Sequence, residues 1–158
     1  MNREGRRIRV GIAACGLALA LLSAPARAVL VVGQPWLRPA QTGQSAELYM
    51  FLTSSEGATL VAARADDAAK VVFRGPDKLP RPLDTLLLPA RTTIALAPGK
   101  AHLALVNLKR SIKLGERVAF ALTIRSASGA QQEIFVIAEV RMRSPLEEGV
   151  RAQPPQKF

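Results

Sequence analysis

This chain of 158 residues has little with which to do chemistry: one cysteine, one histidine, three methionines and an aromatic content of 4%. Each scarcity excludes something. With Cys15 alone there is no intrachain disulfide and no thiolate cluster. With His102 alone no histidine pair can hold a hydrolytic metal. A Ser-His-acid triad would need His102 as its base, yet no Gly-x-Ser-x-Gly elbow is present, and Gly43-Gln44-Ser45 reads as a loop. No phosphate-cradling glycine motif occurs either. These absences argue against an enzyme.

Long apolar runs are also missing, with one exception at the N-terminus. Arg3, Arg6, Arg7 and Arg9 form a basic n-region, Val10 to Ala24 is almost uninterruptedly apolar, and Ala26-Arg27-Ala28 offers a small-x-small cleavage site. A membrane-spanning helix needs roughly 20 apolar residues, so residues 1–28 are expected to be a cleavable signal peptide rather than an anchor. Ile12-Ala13-Ala14-Cys15 faintly resembles a lipoprotein box, but Cys15 lies inside the apolar run instead of after it. Cleavage would remove five arginines, one glutamate and the cysteine, lowering the net charge from +10 to +6. The mature chain of about 130 residues is long enough for one domain with its own core, which must hold by apolar burial without a covalent staple. Its scattered basic residues suit an acidic partner or anionic surface. Nucleic acid is a poor fit for an exported chain lacking a basic stripe, and no stable membrane insertion is expected after signal cleavage.

What the mature region does have is period-two alternation. In Arg117–Arg125, Val118, Phe120, Leu122 and Ile124 share one face; in Glu133–Arg141, Ile134, Val136, Ala138 and Val140 do the same. The intervening Ser126-Ala127-Ser128-Gly129-Ala130 predicts a hairpin. Pro98-Gly99 marks a turn between Thr92–Leu96 and Ala101–Val106. Further strands are expected at Val29–Val32, Ala46–Thr53, Ala58–Ala63, Lys70–Arg74 and Asp84–Leu88. The alanine-rich stretch from Ala58 to Val72 would also suit a helix, but Gly57 and Asp66-Asp67 favour two strands around a loop. Leu79-Pro80-Arg81-Pro82 reads as an irregular loop. About nine short strands at this spacing predict an all-β antiparallel sandwich or barrel over residues 29–143. The proline- and charge-rich residues 144–158 are expected to be a disordered tail.

Several short pieces occur in the order seen in the periplasmic copper chaperone family PCu(A)C: Trp36-Leu37-Arg38, Glu47-Leu48-Tyr49-Met50, Leu88-Pro89-Ala90, Ala97-Pro98-Gly99, His102-Leu103, and Leu108-Lys109 through Leu114-Gly115-Glu116. The chain resembles that family over roughly Val32 to Val140. The resemblance implies a cupredoxin-like Greek-key β-sandwich in the bacterial periplasm, Cu(I) as cargo, and a partner in copper handling or cytochrome oxidase assembly. It also implies a metal motif in which an upstream histidine and methionine join a downstream His-x-Met. Imidazole and thioether donors suit the soft Cu(I) ion, and an i, i+2 spacing on a strand aims both at one face.

Only His102 matches that motif. The methionine two residues on is replaced by Ala104, the upstream methionine position falls on Pro80, and Lys70 to Gly75 holds neither histidine nor methionine. No methionine occurs between Met50 and Met142, and neither donor follows Met142. Arg74, Lys78 and Arg81 stand near the positions of the missing ligands, where cations oppose Cu(I). Met50 is expected to pack in a core strand. His102 is therefore the sole candidate metal ligand, with a hydrogen-bonded packing role as its alternative, and no resident cofactor is expected. Two functions follow: an interaction module with a degenerate metal site, or a copper carrier in which His102 is completed by ligands from a second subunit or client protein.

Overall fold

The computed structural model describes residues 29–76 and 82–146; the expected signal peptide 1–28, residues 77–81 and most of the expected tail lie outside that range. Among the described residues ten strands form one sheet: β1 Leu30–Leu37, β2 Ala46–Ser54, β3 Ala58–Arg64, β4 Ala68–Arg74, β5 Pro82–Leu83, β6 Leu86–Leu88, β7 Thr93–Leu96, β8 His102–Leu108, β9 Arg117–Ser126 and β10 Gln131–Val140. The strand order is β5-β4-β8-β2-β1-β10-β9-β3-β6, with β7 also paired to β2. All pairings are antiparallel except β1 with β10, which run parallel through Trp36↔Glu139 and Leu37↔Val140.

This order nearly closes on itself. β5 and β6 stand at opposite ends of the sheet but are separated by only Asp84 and Thr85. Two extended residues span less than about 10 Å, so the two sheet ends must meet. Residues 65–67 make a second short link between distant strands, β3 and β4. The sheet therefore wraps as a barrel-like sandwich around an interior filled by branched aliphatic side chains. No helix among the described residues is long and apolar enough to cross a membrane.

The expected hairpin is present, with Gln131↔Arg125 through Glu139↔Arg117 in continuous register. The alanine-rich stretch forms two strands, β3 and β4, because Ala58 and Leu60 on one strand and Ala68 and Phe73 on the other have a core to enter. Two elements depart from expectation. β1 runs five residues further than Val32, since a bulge between Gly33 and Trp36 absorbs Gln34 at φ 47° and Pro35 without ending the ladder. Pro82 is not in an irregular loop but in the two-residue β5, paired with Arg74 at the sheet's edge, where a residue without an N–H is tolerated.

A row of residues across the sheet shows how the interior is built. Phe73, Leu103, Leu48, Leu37 and Val140 are successive register partners on β4, β8, β2, β1 and β10, and all five are buried in the core. Met50 is 1% exposed and belongs to the same core, as its strand position predicts.

One polar clasp ties distant segments on the surface. Arg110 donates to Asp67 Oδ1 and Oδ2 at 2.7 and 3.0 Å and to Glu116 Oε2 at 2.7 Å, joining the β3–β4 corner to the segment before β9. The Arg110 hydrogen bond holds the Glu116 carboxyl below its ordinary range. A depressed carboxylate pKa stabilises the fold above the unfolded value and ceases to do so as pH falls through the folded one. Arg110→Ala is accordingly expected to make the acid side of a pH–stability profile shallower below about pH 4.5, measured by thermal melts at stepped pH. An unchanged acid limb would remove Arg110 from this role.

Candidate functional site

His102 opens β8, and its position there is fixed by alternation. Leu103 and Leu105 enter the core, so His102 and Ala104 take the opposite face of the sheet. That face is not open: His102 is 5% exposed and Ala104 1%. A second layer of side chains covers the strand from outside.

The layer follows from register. Arg74 on β4 pairs with His102; Tyr49 on β2 stacks at 5.9 Å from the His102 ring; Trp36 on β1 pairs with Tyr49 at 4.6 Å between ring centroids. Trp36 and Tyr49 are 5% and 2% exposed, outside the main core cluster. One row of residues outward, Glu47 on β2 pairs with Ala104, and Arg38 N donates to the Glu47 carbonyl. Arg74, His102, Tyr49 and Trp36 therefore form a ridge across four strands, with Arg38 and Glu47 beside it.

The hydrogen bonds define the chemistry. His102 Nδ1 lies 2.9 Å from the Lys100 carbonyl, which can only accept, so Nδ1 carries the proton. In the neutral ring the lone pair is then on Nε2. Nε2 stands 4.0 Å from Glu47 Oε1, longer than a hydrogen bond. The Glu47 carboxylate is already engaged through Oε2, which accepts from the Tyr49 hydroxyl and from Arg38 at 3.4 Å. The Arg38 guanidinium also sits 5.8 Å over the Tyr49 ring.

Beside this network is a cavity of about 380 Å³ lined by Arg38, Pro39, Ser45, Glu47, Arg74, His102 and Ala104. Two guanidinium-bearing residues and one carboxylate-bearing residue share it with the imidazole. It contains no thioether or thiolate donor, and no group of three or more His, Cys, Asp or Glu among the described residues could hold a metal ion. The structure brings Arg74 to His102 as the sequence suggests; Lys78, Pro80 and Arg81 lie outside the described residues. Met142 follows β10 and is 62% exposed, lining a different cavity.

Arg38, Glu47 and Tyr49 stand in the sequence only within the pieces that resemble the PCu(A)C family, with no role of their own. The available signal was the repeated i, i+2 spacing of Trp36 with Arg38, Glu47 with Tyr49 and His102 with Ala104, each placing two residues on the non-core face of its strand.

Known structures share this architecture. The chain superposes on an apo PCuAC domain from PmoF1 with a TM-score of 0.58 and 29% identity, covering 71% of this chain and 92% of that one. It matches a solution structure of CuI-DR1885 from Deinococcus radiodurans with a TM-score of 0.54 and 26% identity, over 77% and 85% of the two chains. A copper-bound PCuAC domain from PmoF2 has the same fold at 21% identity and a TM-score of 0.56, over 73% of this chain and 100% of that one. The fold is thus the cupredoxin-like β-sandwich of PCuAC domains. Among curated proteins, "Putative lipoprotein Lxx21020" from Leifsonia xyli subsp. xyli is 24% identical over 112 residues, and the chain spans about two thirds (66%) of its length. A family profile described as "Putative lipoprotein LpqE-like" matches residues 30–136, which include every residue of the ridge and the His102 cavity, and by that match the chain belongs to the LpqE-like family.

Proposed function

We propose that this chain is an exported, non-enzymatic PCuAC-like domain in which the position of the family's copper site has become a basic pocket, and that it works there as an interaction module. The guest is an acidic group of a periplasmic partner, of the copper-handling or cytochrome oxidase assembly system that the resemblance implies. One observation supports the reading: the cavity beside His102 is lined by Arg38 and Arg74 against the single carboxylate of Glu47, and its wall includes Ala104, where the resemblance implies a thioether donor. A cation such as Cu(I) meets a net positive charge there, whereas a carboxylate meets the Arg74 guanidinium, suited to bidentate pairing, and Arg38, which it would share with Glu47. Export is supported by the basic and apolar segments of residues 1–28 and by the lipoprotein descriptions of the family and its curated member.

A second reading, a copper carrier with ligands supplied in trans, is favoured by one detail. Nδ1 of His102 is anchored on a backbone carbonyl, the arrangement that orients Nε2 as a metal ligand.

Cu(I) titration of the mature protein against a competing chelator separates the two. The isolated chain is expected to bind no stoichiometric Cu(I) with submicromolar affinity while its circular dichroism shows an intact β fold. Tight binding that disappears in His102→Ala would overturn the interaction-module reading. The N-terminus of the exported protein checks the export half: Val29 is expected, and a lipid-modified Cys15 contradicts a simple cleavable signal.

A further inference from the structure

A second and larger cavity, of about 490 Å³, shares only Arg38 with the one at His102. Its size falls within the roughly 300–1,000 Å³ of small-molecule sites. Trp36, Met50 and Leu96, each no more than 5% exposed, contribute to its wall. Met142 and Leu146 also line it and remain 62% and 50% exposed, so they hold apolar area that a guest could cover. Among the described residues the charged lining is of one sign: Arg38, Lys100 and Arg143 line the cavity, all three exposed, and no described aspartate or glutamate does.

From this we infer that the cavity is a binding site for a small amphipathic organic anion, a carboxylate with an aliphatic or aromatic body. Charge complementarity selects the head group: Lys100 and Arg143, with Arg38 shared with Glu47, line a concavity to which no described residue adds a carboxylate, and the positive balance of the chain adds attraction at longer range. The apolar wall selects the body, since covering Met142 and Leu146 and entering beside Trp36 and Leu96 removes apolar surface from water. Met50 and Met142 do not make this a Cu(I) site, because the same three cations oppose a metal ion. A membrane plane does not fit a concave surface. Arg38 links the cavity to the Glu47 carboxylate at 3.4 Å, so an anion that draws Arg38 away loosens the network beside His102.

Anilinonaphthalene sulfonate, an aromatic anion whose fluorescence rises in apolar sites, is a suitable probe for the mature protein. It is expected to occupy one site per chain and to be displaced by decanoate but not by decanol. Lys100→Glu with Arg143→Glu, both exposed positions, is expected to weaken the probe roughly tenfold or more, with circular dichroism unchanged. Phe135→Ser, on an exposed face elsewhere, is expected to leave binding as it was. The inference is overturned if the charge reversals leave affinity unchanged or decanol displaces as well as decanoate. It is equally overturned if Phe135→Ser abolishes the signal, or if an acidic peptide displaces the probe where decanoate cannot.

Discussion

Methionine at both Ala104 and Arg74 is expected to raise the Cu(I) affinity of the isolated chain about a hundredfold or more over the natural sequence. The geometry supplies the reason. Ala104 lies two residues beyond His102 on β8, and Arg74 is the register partner of His102 on β4, so both positions share the histidine's face and line its cavity. Ala104→Met would introduce a thioether at the i+2 position, and Arg74→Met would replace a repelling cation with a second soft donor. Donors already held side by side act at an effective concentration that lifts affinity by about 10² to 10⁴ without a new kind of contact. The cavity of about 380 Å³ gives the longer side chains room on this face, so the fold should survive. Chelator competition read beside circular dichroism decides the matter. If the doubly substituted, folded protein binds Cu(I) no better than the natural one, then missing donors are not what keeps copper from this pocket.

Leu105→Ala is expected to destabilise the domain by about 3 kcal/mol, the usual range for emptying a buried leucine site being roughly 2–5. Leu105 is fully buried, sits on β8 between Val71 of β4 and Ala46 of β2, and belongs to the central cluster. Deleting its side chain leaves a void that two flanking strands cannot collapse without losing their ladder. With a single cysteine the chain has no intrachain disulfide to limit the damage. Phe135→Ala is the contrast: that larger ring is 72% exposed on the outer face of β10, and its loss should change stability by no more than about 0.5 kcal/mol. Urea denaturation of both variants measures the difference. A Leu105→Ala cost below about 1 kcal/mol would show that β8 does not anchor the core.

Strand positions were largely readable because alternation is a local property. Val118, Phe120, Leu122 and Ile124 announce their inward face from spacing alone, and the β9–β10 hairpin follows from the turn between. The bulge that carries β1 past Gln34 and Pro35 was not readable, since a turn-like sequence can be kept in a strand by pairing on both sides. The two-residue β5 was hidden for a similar reason: it exists only because Arg74 and Phe73 offer an edge to pair with. Nor did the alternation of β8 reveal that its outer face is covered, as burial there depends on Trp36, Tyr49 and Arg38 arriving from other strands.

The sequence by itself determined which donors this protein can offer. A thiolate or thioether that is not encoded cannot be folded into place, and one histidine cannot become two, so the poverty of the His102 site in metal ligands was settled before any strand formed. The sequence likewise determined most of the strands, through a period of two. Only the tertiary structure decided which side chains stand beside His102. Arg38, Glu47 and Arg74 are 64, 55 and 28 residues from His102 along the chain. They meet beside it because pairing of β1, β2, β4 and β8 fixes one register, and a slip of a single residue would have turned each of them to the other face of the sheet.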